Sequence, residues 1–187
     1  MEDPAPLFVF TKSKDWADAE FKERISGEME NPGKAWELRR DIWEEFLVND
    51  IFDYTYSERM NELVSFKGKA FTKLEAIVEL LKIDSDTRKA ILNIYGEDGF
   101  NEDCDSNYLG GEHRIPCSMY YDFLIRENAR GEKQLNICYH QRSSDFVTHF
   151  GNDVYLAWRL MEYVASEVGI KPGYLYHTID SLHSYKK

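Results

Sequence analysis

Two runs rich in aromatic and β-branched residues, 117–126 and 134–141, flank the short segment Glu127-Asn128-Ala129-Arg130-Gly131, and this pairing restricts the fold more than anything else in the chain. Runs of that kind joined by a glycine-containing turn make a β-hairpin, so an antiparallel sheet is predicted here. In the second run Leu135, Ile137 and Tyr139 alternate with Asn136, Cys138 and His140, which predicts one buried and one mixed face. A long helix is predicted next, over about 153–168, closed by Gly169 in a left-handed position, with Pro172 barring continuation. A last strand is predicted over 175–185. Upstream, Thr72 and Glu75 form a capping box before the apolar stripe Leu74, Ile77, Val78 and Leu81, and that helix stops at Asp84-Ser85-Asp86. Residues 90–95 read as a strand and 96–111 as a surface loop. Residues 50–70 read as loop-rich, 16–25 as a helix, and Asn31-Pro32-Gly33 as a turn. Residues 36–47 read as helical, with Trp36, Ile42, Trp43 and Phe46 buried. The order predicts a single α+β domain over 1–187, with a mostly antiparallel β-sheet and helices packed on it.

A chain of 187 residues is long enough to bury one core without staples. Its formal net charge of −11 opposes binding to a nucleic-acid polymer, which is driven by Lys and Arg displacing counterions. Any phosphate it binds is expected to be small and held by a few placed cations. No apolar run approaches 18 residues, so no membrane span is expected. Met1-Glu2-Asp3-Pro4-Ala5-Pro6 lacks the order of a signal peptide. Cys104, Cys117 and Cys138 form no CxxC pair, which suits free thiols in a reducing cytoplasm. No His/Cys cluster has metal-site spacing and no phosphate-binding glycine loop is present.

Four groups of residues have chemical potential, although each alone reads more simply as structure. Cys117 follows Arg114-Ile115-Pro116 at a strand start, and a thiol becomes a nucleophile when cations lower its pKa. Taken alone it is a buried structural cysteine. Gln141-Arg142-Ser143-Ser144-Asp145 gathers an amide, a guanidinium and hydroxyls, a set suited to phosphate, or else to a solvated strand end. Asp153 stands where a helix-capping carboxylate is common. His183 and Tyr185 share one face of the final strand, with room for a sugar hydroxyl between them.

Taken together these residues resemble thymidylate synthase and the pyrimidine nucleotide hydroxymethylases, over about 54–185, closest in flavour to the short archaeal-type synthases. Residues 1–50 form the divergent N-terminal part. The family's Pro-Cys pair is matched by Pro116-Cys117, and its Gln-Arg-Ser-x-Asp motif by Gln141 to Asp145. Its closing pattern is matched by His177-Thr178 and His183-Ser184-Tyr185, and its Asp-Ser-Arg-Arg segment in part by Asp86-Thr87-Arg88-Lys89. Tyr56, within Tyr54-Thr55-Tyr56-Ser57-Glu58-Arg59, resembles the catalytic tyrosine. The resemblance implies 5,10-methylenetetrahydrofolate as cofactor and a nucleotide substrate. It also implies a homodimer in which Arg88, with Lys89, crosses the interface to the partner's phosphate. It implies that Cys117 adds to C6 of the pyrimidine, so that C5 attacks the one-carbon unit and then loses its proton. Arg142, Ser143 and Gln141 would hold phosphate, with Arg142 helping to keep Cys117 ionised. His183 and Tyr185 would bind the sugar, and Tyr56 would join the proton-transfer network.

In thymidylate synthases an asparagine eleven positions after the phosphate-binding arginine reads the uracil edge. Eleven positions after Arg142 this chain has Asp153, thirty further positions reach His183, and Val154-Tyr155 matches the archaeal-type pair. Asn152 lies one place early, and a slip of one residue would restore a uracil reader. Cytosine offers an acceptor at N3 and donors at N4, which a carboxyl group can complement. Asp153 therefore resembles the reader of the deoxycytidylate hydroxymethylases of phages, and the expected reaction is C5 hydroxymethylation of dCMP or CMP in a cell or host cytoplasm. Methylation of dUMP and a nucleotide-binding homologue without catalysis are the alternatives. Glu20, Glu23 and Glu37 are candidates for the glutamate that positions water. The chain departs from the family at Ser118, where histidine is usual. The extra phosphate-binding arginine of the family's N-terminal loop has no identifiable match. The sequence stops at Lys187, without the segment that closes over folate, and weaker closure would suit a reaction that admits water.

Overall fold

The computed structural model describes residues 13–95 and 114–185. The expected loop at 96–111 and Cys104 lie outside the described residues. Helix α1 (Lys14–Arg24) is followed by an irregular helical stretch: a 3-10 turn at Ala35–Arg39, α2 (Arg40–Trp43) and a second 3-10 turn at Glu44–Phe46. A short helix α3 (Tyr56–Asn61) leads into the hairpin β1 (Leu63–Phe66) and β2 (Lys69–Thr72), then α4 (Lys73–Ile83). The rest is β3 (Ile91–Asn93), β4 (Ser118–Glu127), β5 (Lys133–Asp145), α5 (Phe150–Val168) and β6 (Lys171–His183).

The predicted hairpin is β4–β5, and it forms the middle of a four-stranded sheet in the order β3-β4-β5-β6. The first two pairings are antiparallel and β5–β6 is parallel, because α5 carries the chain back across the sheet. One face of the sheet supplies Tyr121, Phe123, Ile125, Leu135, Ile137 and Tyr139 to the core. Against it α5 lays Leu156, Ala157, Leu160, Met161 and Val164, and α4 lays Leu74, Ile77, Val78 and Leu81. Gly169 takes the left-handed conformation at φ 80°, and its N–H bonds close α5 where the sequence pattern ends it. The box at Thr72 and Glu75 is present in both directions.

Several local expectations are corrected. Residues 50–70 hold α3 and the β1–β2 hairpin rather than loops. The overlooked signal is a second capping box: Thr55 accepts from the Glu58 N–H at 3.1 Å, and the Thr55 N–H donates to the Glu58 carboxylate at 2.8 Å. The stretch from Trp36 breaks into short 3-10 and α turns, with Ala35 and Arg39 buried. Trp36, Ile42, Trp43 and Phe46 are only half-buried, because they border a cavity rather than the core. The strand expected over 90–95 shrinks to β3, and α5 starts at Phe150 with His149, not Asp153, in the cap position.

Polar ties fix α3 against the N-terminal part. The Asn31 side chain exchanges two 2.9 Å bonds with the Phe52 backbone, and Asn61 Nδ2 donates to the Arg24 and Glu28 carbonyls. Thr55 Oγ1 also donates to the Glu30 carbonyl at 2.6 Å. Thr55→Ala is expected to remove about 1 kcal/mol, the worth of an N-cap. Urea unfolding should show a lower midpoint at unchanged m, and an unchanged midpoint would show that the cap contributes nothing.

Candidate active site

The sheet, α1, α2 and the N-terminus of α5 enclose a cavity of about 530 Å³, within the range of small-molecule sites. The last turn of β5 supplies Gln141 to Asp145, α5 supplies Asp153, and the chain before β4 supplies Arg114 and Cys117. His183 and Tyr185 close one side, with ring centres 5.1 Å apart. Tyr56 lines the cavity beside Arg24, whose guanidinium lies 4.0 Å from the tyrosine ring centre. The aromatic wall is made by Trp36, Trp43, Phe46 and Phe52, with Arg114 over Phe46 at 3.9 Å.

Arg142 is the tie that fixes Cys117. Its Nε donates to the Pro116 carbonyl at 2.9 Å and its Nη2 to the Ile115 carbonyl at 3.0 Å, while its backbone N–H donates to the Cys117 carbonyl. Arg142 Nη2 stands 4.0 Å from Cys117 Sγ. Burial nevertheless pushes the thiol up, and the Arg142 and Arg114 charges do not offset it. Arg142 does pull the thiol toward ionisation, in the direction expected, but burial is the larger effect and leaves the thiol above its ordinary range.

Asp153 Oδ2 accepts from Ser144 Oγ at 2.8 Å. Asp153 lines the cavity and is half-buried. Burial pushes it up to about 6, against the pull of Ser144, Gln141, Arg24 and Arg39. Asn152 does not line the cavity; it is 2% exposed, and its amide atoms have no hydrogen-bond partner among the described residues. Gln141, grouped in sequence with the phosphate set, lines the cavity floor beside Asp153, and its Oε1 pairs with His177 Nε2 at 2.7 Å. Burial lowers His177 and His149 to about 4, so both are neutral. Arg88 and Lys89 are exposed, at the approach to β3, and do not line this cavity.

Of the three glutamates singled out from sequence, Glu37 is exposed and outside the cavity. Glu23 lines it, but Glu23 Oε1 accepts from the Lys34 and Ala35 N–H groups at 2.7 and 2.8 Å, and a Cβ at Gly33 would stand 2.5 Å from its carboxylate. Glu20 also lines the cavity, held at 2.9 Å by Arg24 Nε. Sequence reasoning missed Arg24, His149 and the aromatic wall, whose Trp and Phe spacing imitates a core helix.

The thymidylate synthase family profile matches residues 27–187. The chain belongs to the thymidylate synthase family. A "Putative thymidylate synthase" of Methanosarcina barkeri is 30% identical over 134 residues, covering 72% of this chain and 54% of that protein. The deoxyuridylate hydroxymethyltransferase of Bacillus phage SP01 is 27% identical over 142 residues, covering 72% of this chain and 34% of that one. The structure of thymidylate synthase from T4 phage superimposes with a TM-score of 0.67 at 18% identity, covering 92% of this chain and 59% of that one, a likeness of fold. The chain thus spans about half the length of the curated archaeal relative.

A carboxyl that titrates higher folded than unfolded binds an extra proton in the native state between the two pKa values. Its stabilising contribution is full below about pH 4 and is lost as pH rises through about 6. Asp153→Asn is expected to remove that slope, worth on the order of 3 kcal/mol between pH 4 and 8. The check is the difference in unfolding free energy between the two proteins across that range; parallel curves would show that Asp153 titrates normally.

Proposed function

We propose that the protein is a C5 transferase of the thymidylate synthase family that hydroxymethylates a cytosine nucleotide, dCMP or CMP, with 5,10-methylenetetrahydrofolate. The observation that carries this reading is Asp153, a carboxyl poised near pH 6 in the cavity that also holds Cys117. Protonated, it donates to N3 of cytosine while its second oxygen accepts from N4. Against uracil, which presents a donor at N3 and an acceptor at O4, the ionised group accepts from N3 but leaves O4 unpaired.

The remaining residues take roles consistent with this chemistry. Cys117 forms the bond to C6, and its proton must leave as the nucleotide arrives, because the free site keeps the thiol protonated. Arg142 is bonded to carbonyls through Nε and Nη2, which leaves Nη1 and Ser143 for the phosphate. Arg88 and Lys89 are open to solvent and available to a second subunit of a homodimer. His183 and Tyr185 stand together for the sugar. The flat aromatic wall of Trp36, Trp43, Phe46 and Phe52 fits the ring system of the folate, which supplies the one-carbon unit when bound. Glu20 reaches the cavity from α1 without backbone bonds of the kind that occupy Glu23, and it is the residue we assign to positioning water.

Tritium release from C5-labelled dCMP and dUMP, each with methylenetetrahydrofolate, tests the assignment. Release from dCMP, abolished by Cys117→Ser, is expected. Asp153→Asn should reverse the preference by about 10³-fold or more, the scale of discrimination when a buried polar edge is mispaired. Release from dUMP alone by the wild-type protein would instead favour the uracil chemistry named for the phage relative. Nucleotide binding without release from either would indicate a homologue that only binds.

A further inference from the structure

β4 carries one extra residue near its start: Ser118 pairs with Gln141 and Tyr120 with His140, so Met119 is a β-bulge. In a regular strand Ser118 would share a face with Tyr120, which is exposed. The bulge turns Ser118 inward instead, where it is 1% exposed. There its Oγ donates to Tyr56 Oη at 3.2 Å and lies 2.6 Å from Tyr139 Oη. Tyr139 is itself 2% exposed and held rigidly, its ring stacked on Tyr121 at 4.3 Å and on His177 at 4.4 Å. The Tyr121 hydroxyl borders the same group.

A hydroxyl has one proton to give. Ser118 gives its proton to Tyr56, so the short contact with Tyr139 must run the other way, from Tyr139 to Ser118. The bonds then point in one direction, from the core outward, and the proton of Tyr56 is left for the cavity side, where the Tyr54 hydroxyl also stands within bonding reach. The Arg24 guanidinium on the tyrosine face adds positive charge to the same end. We infer that Ser118 and Tyr139 are positioning residues that hold Tyr56 as a hydrogen-bond donor into the cavity. In this arrangement Tyr56 orients the acceptor that takes a proton, a water or a substrate oxygen, and is not itself the base. The cooperative chain strengthens that donor. The catalytic consequence rests on the reading that a C5 proton leaves a pyrimidine in this cavity; the direction of the bonds does not.

Two measurements test it separately. In proton NMR spectra of the whole protein, the buried hydroxyl protons should exchange slowly. The Ser118 hydroxyl proton should show its Overhauser effect to the Tyr56 ring, and that of Tyr139 to the Ser118 methylene. A Ser118 proton directed at the Tyr139 ring would overturn the inference whatever the substrate. In the C5 release assay, Ser118→Ala and Tyr139→Phe are each expected to slow release about tenfold, the scale of one lost hydrogen bond, at nucleotide affinity within about twofold. The double variant should be no slower than Ser118→Ala, because Tyr139 acts only through Ser118, and Ser118→Thr should restore the rate. Additive losses, or release unchanged in both single variants, would overturn the positioning role.

Discussion

Arg142 is the interaction on which the site depends. A guanidinium usually meets an acid, yet here two of its nitrogens hold the carbonyls of Ile115 and Pro116. Those bonds, with the backbone bond to Cys117, lash the chain before β4 to the C-terminal end of β5. Proline at 116 cannot donate to a sheet ladder, so this stretch has no regular pairing of its own. The side chain of Arg142 replaces the missing ladder. It thereby sets where Cys117 stands, where the bulge at Met119 falls, and so which way Ser118 faces. One residue couples Cys117 to the hydroxyl chain without touching the latter.

The cavity concentrates charge that the rest of the chain dilutes. Asp153, Glu20, Arg24, Arg114 and Arg142 all line it, in a chain of net charge −11. Desolvation is the larger effect for the two groups that matter most: it raises both Cys117 and Asp153 despite the cations near them. The thiol is therefore protonated before ligand arrives, whereas Asp153, pushed up to about 6, still carries its charge for the most part at neutral pH. In the reaction proposed above, a phosphate near Arg142 would partly neutralise the cation closest to the thiol, and ionisation of Cys117 would then come from proton transfer within the complex. That places weight on the oriented hydroxyls and water around Tyr56 rather than on static charge.

Much of the fold was legible because it follows local rules. The hairpin, the α4 capping box and the Gly169 cap each depend on residues within a few positions of one another. The α3 capping box obeyed the same rule and was overlooked, since Tyr54 to Arg59 is too short to show an apolar period. The aromatic wall was misjudged for another reason: a cavity lining is as apolar as a core, and only the tertiary packing reveals which side is empty. The placement of Gln141 and the inward turn of Ser118 were equally hidden. Each depends on a partner in another element, His177 for the first and Tyr139 across a bulge for the second.

The choice between Asn152 and Asp153 shows how packing far from a site constrains its chemistry. Neighbouring residues on a helix point about 100° apart. To bring Asn152 into the cavity, α5 would have to turn by that angle about its axis. Leu156, Ala157, Leu160, Met161 and Val164, all at most 2% exposed, would turn away from the sheet with it. Burying each of the larger side chains is worth about 1.5–3 kcal/mol, so the rotation would forfeit far more than any base contact could return. The core face of α5 thus dictates which of the two positions lines the cavity.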